Sequence, residues 1–167
     1  MKTLYLLRHA KSDWGTGGSD HDRSLSPRGI DAAKRVGCLL AETGQVPERI
    51  VSSSAVRART TVELAASAGS WPTEIELDRE LYDTGPDAVL AWLKRIGEGC
   101  NSLLLAGHQP TWSLLAEGLI GGGQLRFPTA ALARIDLHVE SWAAVDYGCG
   151  ELVWFQIPRV LKSMGWP

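Results

Sequence analysis

Two apolar segments of this chain each lead into a histidine. Arg8 and His9 follow the first segment, Thr3–Leu7, and His108 lies just beyond the second segment, Ser102–Ala106. Short apolar runs are typical of buried strands in a parallel sheet, and ligands in open α/β sheets bind beyond the carboxyl ends of the strands. We therefore expect both histidines at one edge of a sheet. The neighbouring arginine offers planar donors that match phosphate geometry, so the pattern predicts a site that binds and attacks a phosphoryl group.

This chemistry assigns a role to four residues. Phosphoryl transfer requires an in-line nucleophile and positive charge around the equatorial oxygens, and little else from the protein. His9 is the predicted nucleophile, because a neutral imidazole has a free lone pair and can form a phosphoramidate. Arg8 and Arg57 are predicted to bind the oxygens, Arg57 from the start of a helix whose dipole favours an anion. His108 is predicted to complete the pocket, as a cation or as a donor.

Three motifs resemble those of the histidine phosphatase superfamily and follow its usual order. They are Leu7–Ala10, Ser52–Thr61 and Gly107–Pro110. The short chain and the segment Arg23–Gly29 resemble the SixA-type phosphohistidine phosphatase branch. The resemblance covers the chain from about Lys2 to Asp136 and implies a phosphoglycerate mutase-like fold in which the four residues above form the catalytic quartet.

The chain departs from the superfamily pattern at two positions. Ala10 stands where the superfamily usually has glycine, and Ser54 stands where it usually has proline. Neither change removes a reacting group, so the departures concern the local loop geometry more than the chemistry.

Four further residues are candidates for the site, and two of them have an ordinary structural alternative. Ser12 is predicted to donate its hydroxyl to phosphate, or else to cap a turn. Gln109 follows His108 and offers a backbone or amide donor. Arg23 resembles a family position near the substrate mouth, or is simply solvated. His21 lies in the same polar loop and is expected at the entrance.

Glu80 is the candidate general acid. A leaving group that departs as an alkoxide needs a proton, and in the superfamily an acidic residue after the third strand provides it. Glu80 is the closest match to that residue. Asp78 and Asp83 are neighbours that could be confused with it, and a solvated or helix-capping role for Glu80 stays open.

The composition excludes several classes of protein. The chain of 167 residues is long enough for one domain, 1–167, with a continuous core. A net charge of -2 gives no basic footprint for nucleic acid. No apolar stretch reaches the ~18 residues of a membrane span, and Arg8 interrupts the N-terminal apolar run before it could serve as a signal peptide. We expect a cytoplasmic protein without a nucleic-acid or membrane partner.

No metal or other cofactor is expected. Cys38, Cys100 and Cys149 are odd in number and scattered, which disfavours a disulfide framework and a zinc site. The histidines lack ligand spacing, and carboxylates do not gather near them. Histidines and arginines supply the positive charge that a metal would otherwise provide, so the sequence predicts a metal-independent reaction.

Alternating strands and helices are predicted to carry these residues. Ser26 is expected to cap a helix that starts at Pro27 and stops at Gly44, and a flexible loop is expected over Gly15–Asp20. The alternation predicts an α/β fold, a three-layer α/β/α sandwich with a mostly parallel sheet. No element is predicted for Leu161–Pro167, which carries Trp166. The other predicted helices are Val56–Ala68, Pro86–Ile96 and Pro110–Leu119, and the other strands are Ile50–Val51, Glu74–Leu77 and a late hairpin of Ala131–Val139 with Leu152–Ile157.

The predicted function is a phosphatase that acts through a phosphohistidine enzyme intermediate, with phosphohistidine of a protein as the favoured substrate. This substrate rests on the SixA resemblance and on the short loop between Glu80 and Pro86, where larger relatives insert a lid. A site without a lid can admit a residue displayed on a protein surface. A small phosphate ester is the alternative substrate. A mutase is disfavoured because it must shield its intermediate from water, and His9 argues against a non-catalytic phosphate-binding module.

Overall fold

Six strands form one mixed sheet in the computed structural model, which describes residues 1–15 and 18–165. The sheet order is β3-β2-β4-β1-β5-β6. Thr16 and Gly17 of the predicted flexible loop, and Trp166 with Pro167, lie outside the described residues. The strands are β1 (Lys2–Arg8), β2 (Arg49–Ser53), β3 (Ile75–Asp78), β4 (Ser102–Gly107), β5 (Leu132–Leu137) and β6 (Gly150–Gln156). The helices are α1 (Pro27–Glu42), α2 (Val56–Gly69), α3 (Pro86–Leu93), α4 (Thr111–Leu119) and α5 (Pro158–Ser163), with 3-10 turns at Asp20–Asp22, Arg79–Leu81 and Trp142–Ala144.

The strand pairing brings the two histidines to one edge of the sheet. β1 and β4 are parallel neighbours, and Arg8 pairs with Gly107 at their carboxyl ends. The backbone N–H of His9 donates to the Gly107 carbonyl at 2.9 Å. β2 and β3 continue the parallel part of the sheet, whereas β5 and β6 add the predicted antiparallel hairpin.

Alternate residues of the central strands face two separate cores. Leu4 and Leu6 pack in the core that contains side chains of α3 and α4. Tyr5 and Leu7 pack in the core that contains side chains of α1 and α2. The period of two residues therefore places helices on both faces, which confirms the three-layer α/β arrangement with a mostly parallel sheet.

A tight contact between α4 and the sheet lies directly below the edge that carries the histidines. Trp112 is fully buried, and its indole N–H donates to the Leu7 carbonyl at 2.9 Å. Its ring packs so closely on Gly107 that a Cβ atom there would lie 2.6 Å from the ring. Gly107 is therefore required by the close approach of α4, and this packing fixes the chain just before His108.

The start of α1 agrees with the prediction, and two helix ends do not. Ser26 caps α1, accepting from the Gly29 N–H at 3.2 Å. α2 extends one residue past the predicted end, and Ser70 adopts the left-handed conformation expected of glycine, with φ of 52°. Gly69 is instead needed for packing, since a Cβ there would lie 2.4 Å from the Gly37 carbonyl oxygen.

α3 ends at Leu93, three residues before the predicted end at Ile96. The N–H groups of Arg95 and Ile96 donate to carbonyls three residues earlier, so the chain tightens into turns before Gly97, whose φ is 77°. α5 was not predicted; it packs against α1. Within residues 1–15 and 18–165, no helix combines the length and apolarity that crossing a bilayer requires.

Candidate active site

The four residues of the predicted quartet line one cavity of about 290 Å³ at the carboxyl edge of the sheet. Arg8 is the last residue of β1, and His9 follows it. Arg57 lies in the first turn of α2, and His108 follows β4. The ring centroids of the two histidines are 5.3 Å apart. The structure thus brings together residues that are up to a hundred positions apart in the sequence.

His9 is buried, and its proton position follows from its surroundings. Its Nδ1 lies 2.8 Å from the Ala10 carbonyl oxygen. Because a carbonyl only accepts, Nδ1 carries the proton and the lone pair is on Nε2. Burial lowers the pKa of His9 to about 3, and the positive charge of Arg57 and Arg8 and the nearby His108 act in the same direction. His9 is therefore a neutral imidazole at neutral pH, the form that a nucleophile requires.

A hydroxyl joins the loop of His9 to the helix of Arg57. The Ala10 N–H donates to Thr61 Oγ1 at 2.9 Å, and the Thr61 hydroxyl donates to the Arg57 carbonyl at 2.6 Å. Ala10 and Thr61 are fully buried. This chain of hydrogen bonds fixes the predicted nucleophile relative to the first turn of α2.

His108 is held by a serine at the end of β2. Its Nε2 lies 2.8 Å from Ser53 Oγ, whereas its buried Nδ1 has no partner among the described residues. Burial lowers the pKa of His108 to about 4; Arg57 and Arg8 contribute in the same direction, and Asp20 opposes them. The ring is therefore neutral at neutral pH in the ligand-free site, and its predicted role as a cation or a donor stays a prediction.

Three buried nitrogens of the quartet lack partners in the described part of the chain: Arg8 Nε, Arg57 Nε and His108 Nδ1. Arg8 is otherwise held by the Phe127 carbonyl, which accepts from Nη1 at 2.8 Å. Buried polar groups are almost always hydrogen-bonded, so three unpartnered nitrogens in residues that line one cavity are unusual. The guanidinium groups of Arg8 and Arg57, which line the cavity, indicate that its ligand is an anion.

Asp20 is a site residue that the sequence did not single out. Its Oδ2 accepts from Arg57 Nη2 and from the Tyr82 hydroxyl, both at 3.0 Å, and its Oδ1 accepts from Arg23 Nη1 at 2.9 Å. Arg23 first, and then Tyr82 and Arg57, lower the pKa of this carboxyl to about 2. The carboxylate of Asp20 therefore binds Arg57, the residue that is predicted to bind phosphate. No local pattern predicts this contact, because it joins a loop to a helix 37 residues away.

Ser12 and Arg23 both line the cavity of the quartet. Ser12 is buried, and its Oγ accepts a hydrogen bond from Arg23 Nη2. The Arg23 guanidinium also lies over the ring of Trp14, 3.4 Å from its centroid. Only 13% of the Arg23 side chain is exposed, so a freely solvated arginine does not describe it.

Gln109 and His21 make structural contacts near the site. Gln109 lines the cavity, but its amide donates to Ser113 Oγ and accepts from the Ser113 N–H, both at 3.0 Å, which holds the first turn of α4. His21 Nε2 lies 3.0 Å from Ser54 Oγ, and its ring meets Tyr82 edge-on at 4.9 Å. Their predicted roles toward substrate stay predictions.

The structure does not bring Glu80 into this cavity. Its exposed carboxylate accepts from Arg95 Nη2 at 2.7 Å. Asp83 lines a second cavity of about 220 Å³, which shares Arg57 and His108 with the first. The general-acid role of Glu80 stays a prediction.

The sequence also missed Tyr82 and Ser53, which contact His108 from two sides. Ser53 lies within the motif Ser52–Thr61, and Tyr82 lies two residues after Glu80. Neither a serine nor a tyrosine by itself indicates a catalytic role. In residues 1–15 and 18–165, no group of three or more histidines, cysteines or carboxylates is arranged to hold a metal ion.

The fold and the quartet are those expected of a phosphoryl-transfer protein, and comparison with known proteins shows the family to which the chain belongs. The family model of the histidine phosphatase superfamily (branch 1) matches residues 4–86. The uncharacterized protein Rv1276c of Mycobacterium tuberculosis is 37% identical over 165 residues, which cover 92% of this chain and all of that protein. The chain therefore belongs to the histidine phosphatase superfamily.

Solved structures place the chain in the SixA-like branch of that superfamily. The protein histidine phosphatase SixA, solved with tungstate, is 26% identical with a TM-score of 0.82, over 95% of this chain and 99% of that chain. A candidate phosphohistidine phosphatase SixA from Agrobacterium tumefaciens is 29% identical with a TM-score of 0.78, over 94% of this chain and 98% of that chain.

Proposed function

We propose that this protein is a phosphatase that removes the phosphoryl group from phosphohistidine of a protein, through a covalent intermediate on His9. One observation carries the proposal. The neutral imidazole of His9 keeps its lone pair on Nε2 and lines one cavity together with Arg8, Arg57 and His108. A pocket that only bound phosphate would need the donors but not the nucleophile.

The reaction has two displacements at phosphorus. His9 Nε2 attacks the phosphorus, the P–N bond of the substrate breaks, and the electron pair leaves with the protonated imidazole as a neutral ring. Water then attacks the phosphoenzyme, the bond to Nε2 breaks, and that electron pair returns to His9. One proton of the water stays on the released phosphate and the other passes to solvent, because the substrate imidazole brought its own proton.

The residues around the phosphoryl group supply charge and position. Arg8 and Arg57 neutralise the charge on the equatorial oxygens of the phosphoryl group. His108 lines the same cavity and adds a hydrogen bond to the phosphoryl group, and Ser53 Oγ, 2.8 Å from Nε2, positions its ring. Because these groups provide the stabilisation, the proposed reaction needs no metal and should survive a chelator.

The open edge of the site supports a protein substrate. Only residues 82–85 separate the 3-10 turn Arg79–Leu81 from α3, so this connection has no room for a lid. The similarity to structures named as SixA supports the same substrate class. The proposed location is the cytoplasm, where the three thiols, all free in the structure, would stay reduced.

A small phosphate ester is the second candidate substrate. The cavity of about 220 Å³ beside the quartet, lined by Tyr82 and Asp83, is large enough for a small leaving group. The deciding experiment measures kcat/KM of the purified protein on a phosphohistidine peptide and on a panel of metabolite phosphate esters. The proposal predicts the higher value on the peptide, and a higher value on any ester would replace it with the second candidate.

A further inference from the structure

A third cavity, of about 410 Å³, lies beside the site between α1, α5 and the loop at Pro128. We call it the basic groove. Five cationic side chains and one carboxylate line it, which leaves four net positive charges in a chain whose net charge is -2. The charged lining residues are Lys11, Arg28, Asp31, Arg35, Arg159 and Lys162.

Four of these cations lack a carboxylate partner. The side chains of Lys11, Arg28, Arg159 and Lys162 form no ion pair with any residue of 1–15 or 18–165. Like charges at close quarters repel each other, so gathering them costs stability unless an anion joins them. The groove therefore has the charge of an anion-binding surface.

The basic groove adjoins the catalytic cavity. Lys11 and Thr129 line both. The Lys11 backbone is fixed against α1, because its carbonyl accepts from the N–H and the hydroxyl of Ser26 at 2.8 and 3.0 Å. A Cβ on Gly29 would lie 2.2 Å from the same carbonyl oxygen. A ligand in the groove would thus lie next to a phosphoryl group on His9.

The positive charge is spread too widely for a single phosphate. Arg28 and Arg35 lie seven residues apart on one face of α1, which is about 10 Å along the helix axis. Arg159 and Lys162 add charge from α5 on the opposite side of the groove. Apolar side chains, including Ile157, line the floor between them. Extended charge with apolar surface suits a polypeptide segment better than a compact anion.

We propose that the basic groove binds acidic side chains that flank the phosphohistidine of the protein substrate. The inference rests on the proposed function and adds to it a sequence preference: carboxylates near the modified histidine. Such contacts at the rim of an interface act mainly on encounter and on KM, and they weaken as salt rises.

The test compares two phosphohistidine peptides that differ only in flanking residues, Asp and Glu in one and Asn and Gln in the other. The wild-type protein should show a kcat/KM roughly tenfold higher on the acidic peptide at low salt, through a lower KM, and the difference should shrink at high salt. Arg28→Glu and Lys162→Glu should each remove most of this preference. Neither should change the rate on the neutral peptide or on phosphoramidate.

Lys34→Glu is the matched control, because Lys34 is exposed on α1, makes the same change in net charge and does not line the groove. It should keep the preference for the acidic peptide. Equal rates on both peptides, or equal effects of Arg28→Glu and Lys34→Glu, would overturn the inference and leave the proposed function intact. Small bisphosphate esters are assayed in parallel with the same variants. If Arg28→Glu and Lys162→Glu lowered kcat/KM only on those esters, the groove would be a metabolite subsite and the inference would be overturned. Failure to hydrolyse either peptide would remove the proposed function and this inference with it.

Discussion

The guanidinium of Arg57 binds the carboxylate of Asp20, with 3.0 Å between Nη2 and Oδ2, and its other terminal nitrogen donates to the Asp20 backbone carbonyl. Arg57 is also the proposed ligand of the phosphoryl oxygens. Asp20 and an incoming phosphoryl group therefore compete for the same donors. The carboxylate is half exposed, so this contact can be exchanged at a modest cost.

The first prediction follows from this competition. Asp20→Asn removes the negative charge, so the protein should bind inorganic phosphate or vanadate more tightly, by up to about fivefold. Inhibition constants measured against one substrate provide the readout. Asp22→Asn is the control, because Asp22 binds Ser19 and His21 and makes no contact with Arg57. Weaker phosphate binding by Asp20→Asn would mean that the carboxylate positions Arg57 and does not compete with the ligand.

Arg57→Lys should cost far more activity than the retained charge suggests. A lysine is a point charge and cannot reproduce the planar pair of donors. Losing a transition-state donor costs about 2.7–4 kcal/mol, or on the order of a hundredfold or more in kcat. Arg59→Lys is the control, because Arg59 lies two residues further along α2 and pairs with Glu63 at 3.2 Å on the exposed face. It should retain nearly full activity. Comparable rates for the two variants would exclude a specific role for Arg57.

The buried His9 should make the protein acid-sensitive. Burial lowers the pKa of His9 to about 3 in the folded protein, whereas an unfolded histidine has a pKa of about 6.5. Between pH 6.5 and pH 3 the unfolded chain therefore binds a proton at His9 that the folded protein does not bind. Stability is therefore lost as the pH falls, by about 2 kcal/mol between pH 7 and 5 from this one group. Denaturant unfolding at the two pH values should show a smaller loss in His9→Ala than in the wild type.

His138→Ala is the control for that measurement, because His138 is exposed and lies 3.7 Å from Glu151 on the surface. His9→Ala should lose less stability on acidification than this variant does. An identical pH dependence in the wild type and in His9→Ala would show that His9 is not held neutral by burial.

Glu80 and Asp83 can be separated by the leaving group. An alkyl phosphate needs a proton donor, whereas a phosphohistidine imidazole can already be protonated near neutral pH and leave as a neutral ring. If Glu80 acts as the acid, it must release Arg95, and Glu80→Gln should then lower hydrolysis of an alkyl ester by ~10²–10⁴-fold and that of phosphohistidine by much less. A larger loss in Asp83→Asn would assign the proton to the carboxylate that lines the second cavity.

Gly107→Ala should destabilise the fold next to the site. The added methyl group would meet the Trp112 ring at 2.6 Å, and overpacking of this kind costs about 1–3 kcal/mol. Gly85→Ala offers the control, since its Cβ would meet nothing within 4 Å. Thermal unfolding should show a clear loss of stability in the first variant only.

The sequence predicted the parts of the structure that depend on local pattern. Apolar runs located β1 and β4, and Ser26 with Pro27 located the start of α1, because burial and capping are read from neighbouring residues. The quartet was found because its motifs are short and lie at strand and helix ends. Placement of all four around one cavity then followed from the parallel pairing of β1 with β4.

The missed features depend on contacts between distant segments. Asp20 contacts Arg57 across 37 residues, and Glu80 contacts Arg95 just beyond the end of α3, so neither orientation can be derived from spacing. Gly69 resembled a helix stop, yet its small size is required by the carbonyl of Gly37 on a neighbouring helix. The basic groove joins α1 to α5, an element that periodicity did not predict.

The most direct test of the account is to trap the phosphoenzyme. Wild-type protein mixed with labelled phosphohistidine substrate and quenched within milliseconds should carry label that is stable in alkali and lost in acid, as a phosphoramidate on His9 requires. His9→Ala should fold normally and carry none, and it should not turn over substrate. An acid-stable adduct, or undiminished turnover by His9→Ala, would contradict the central claim that His9 is the nucleophile.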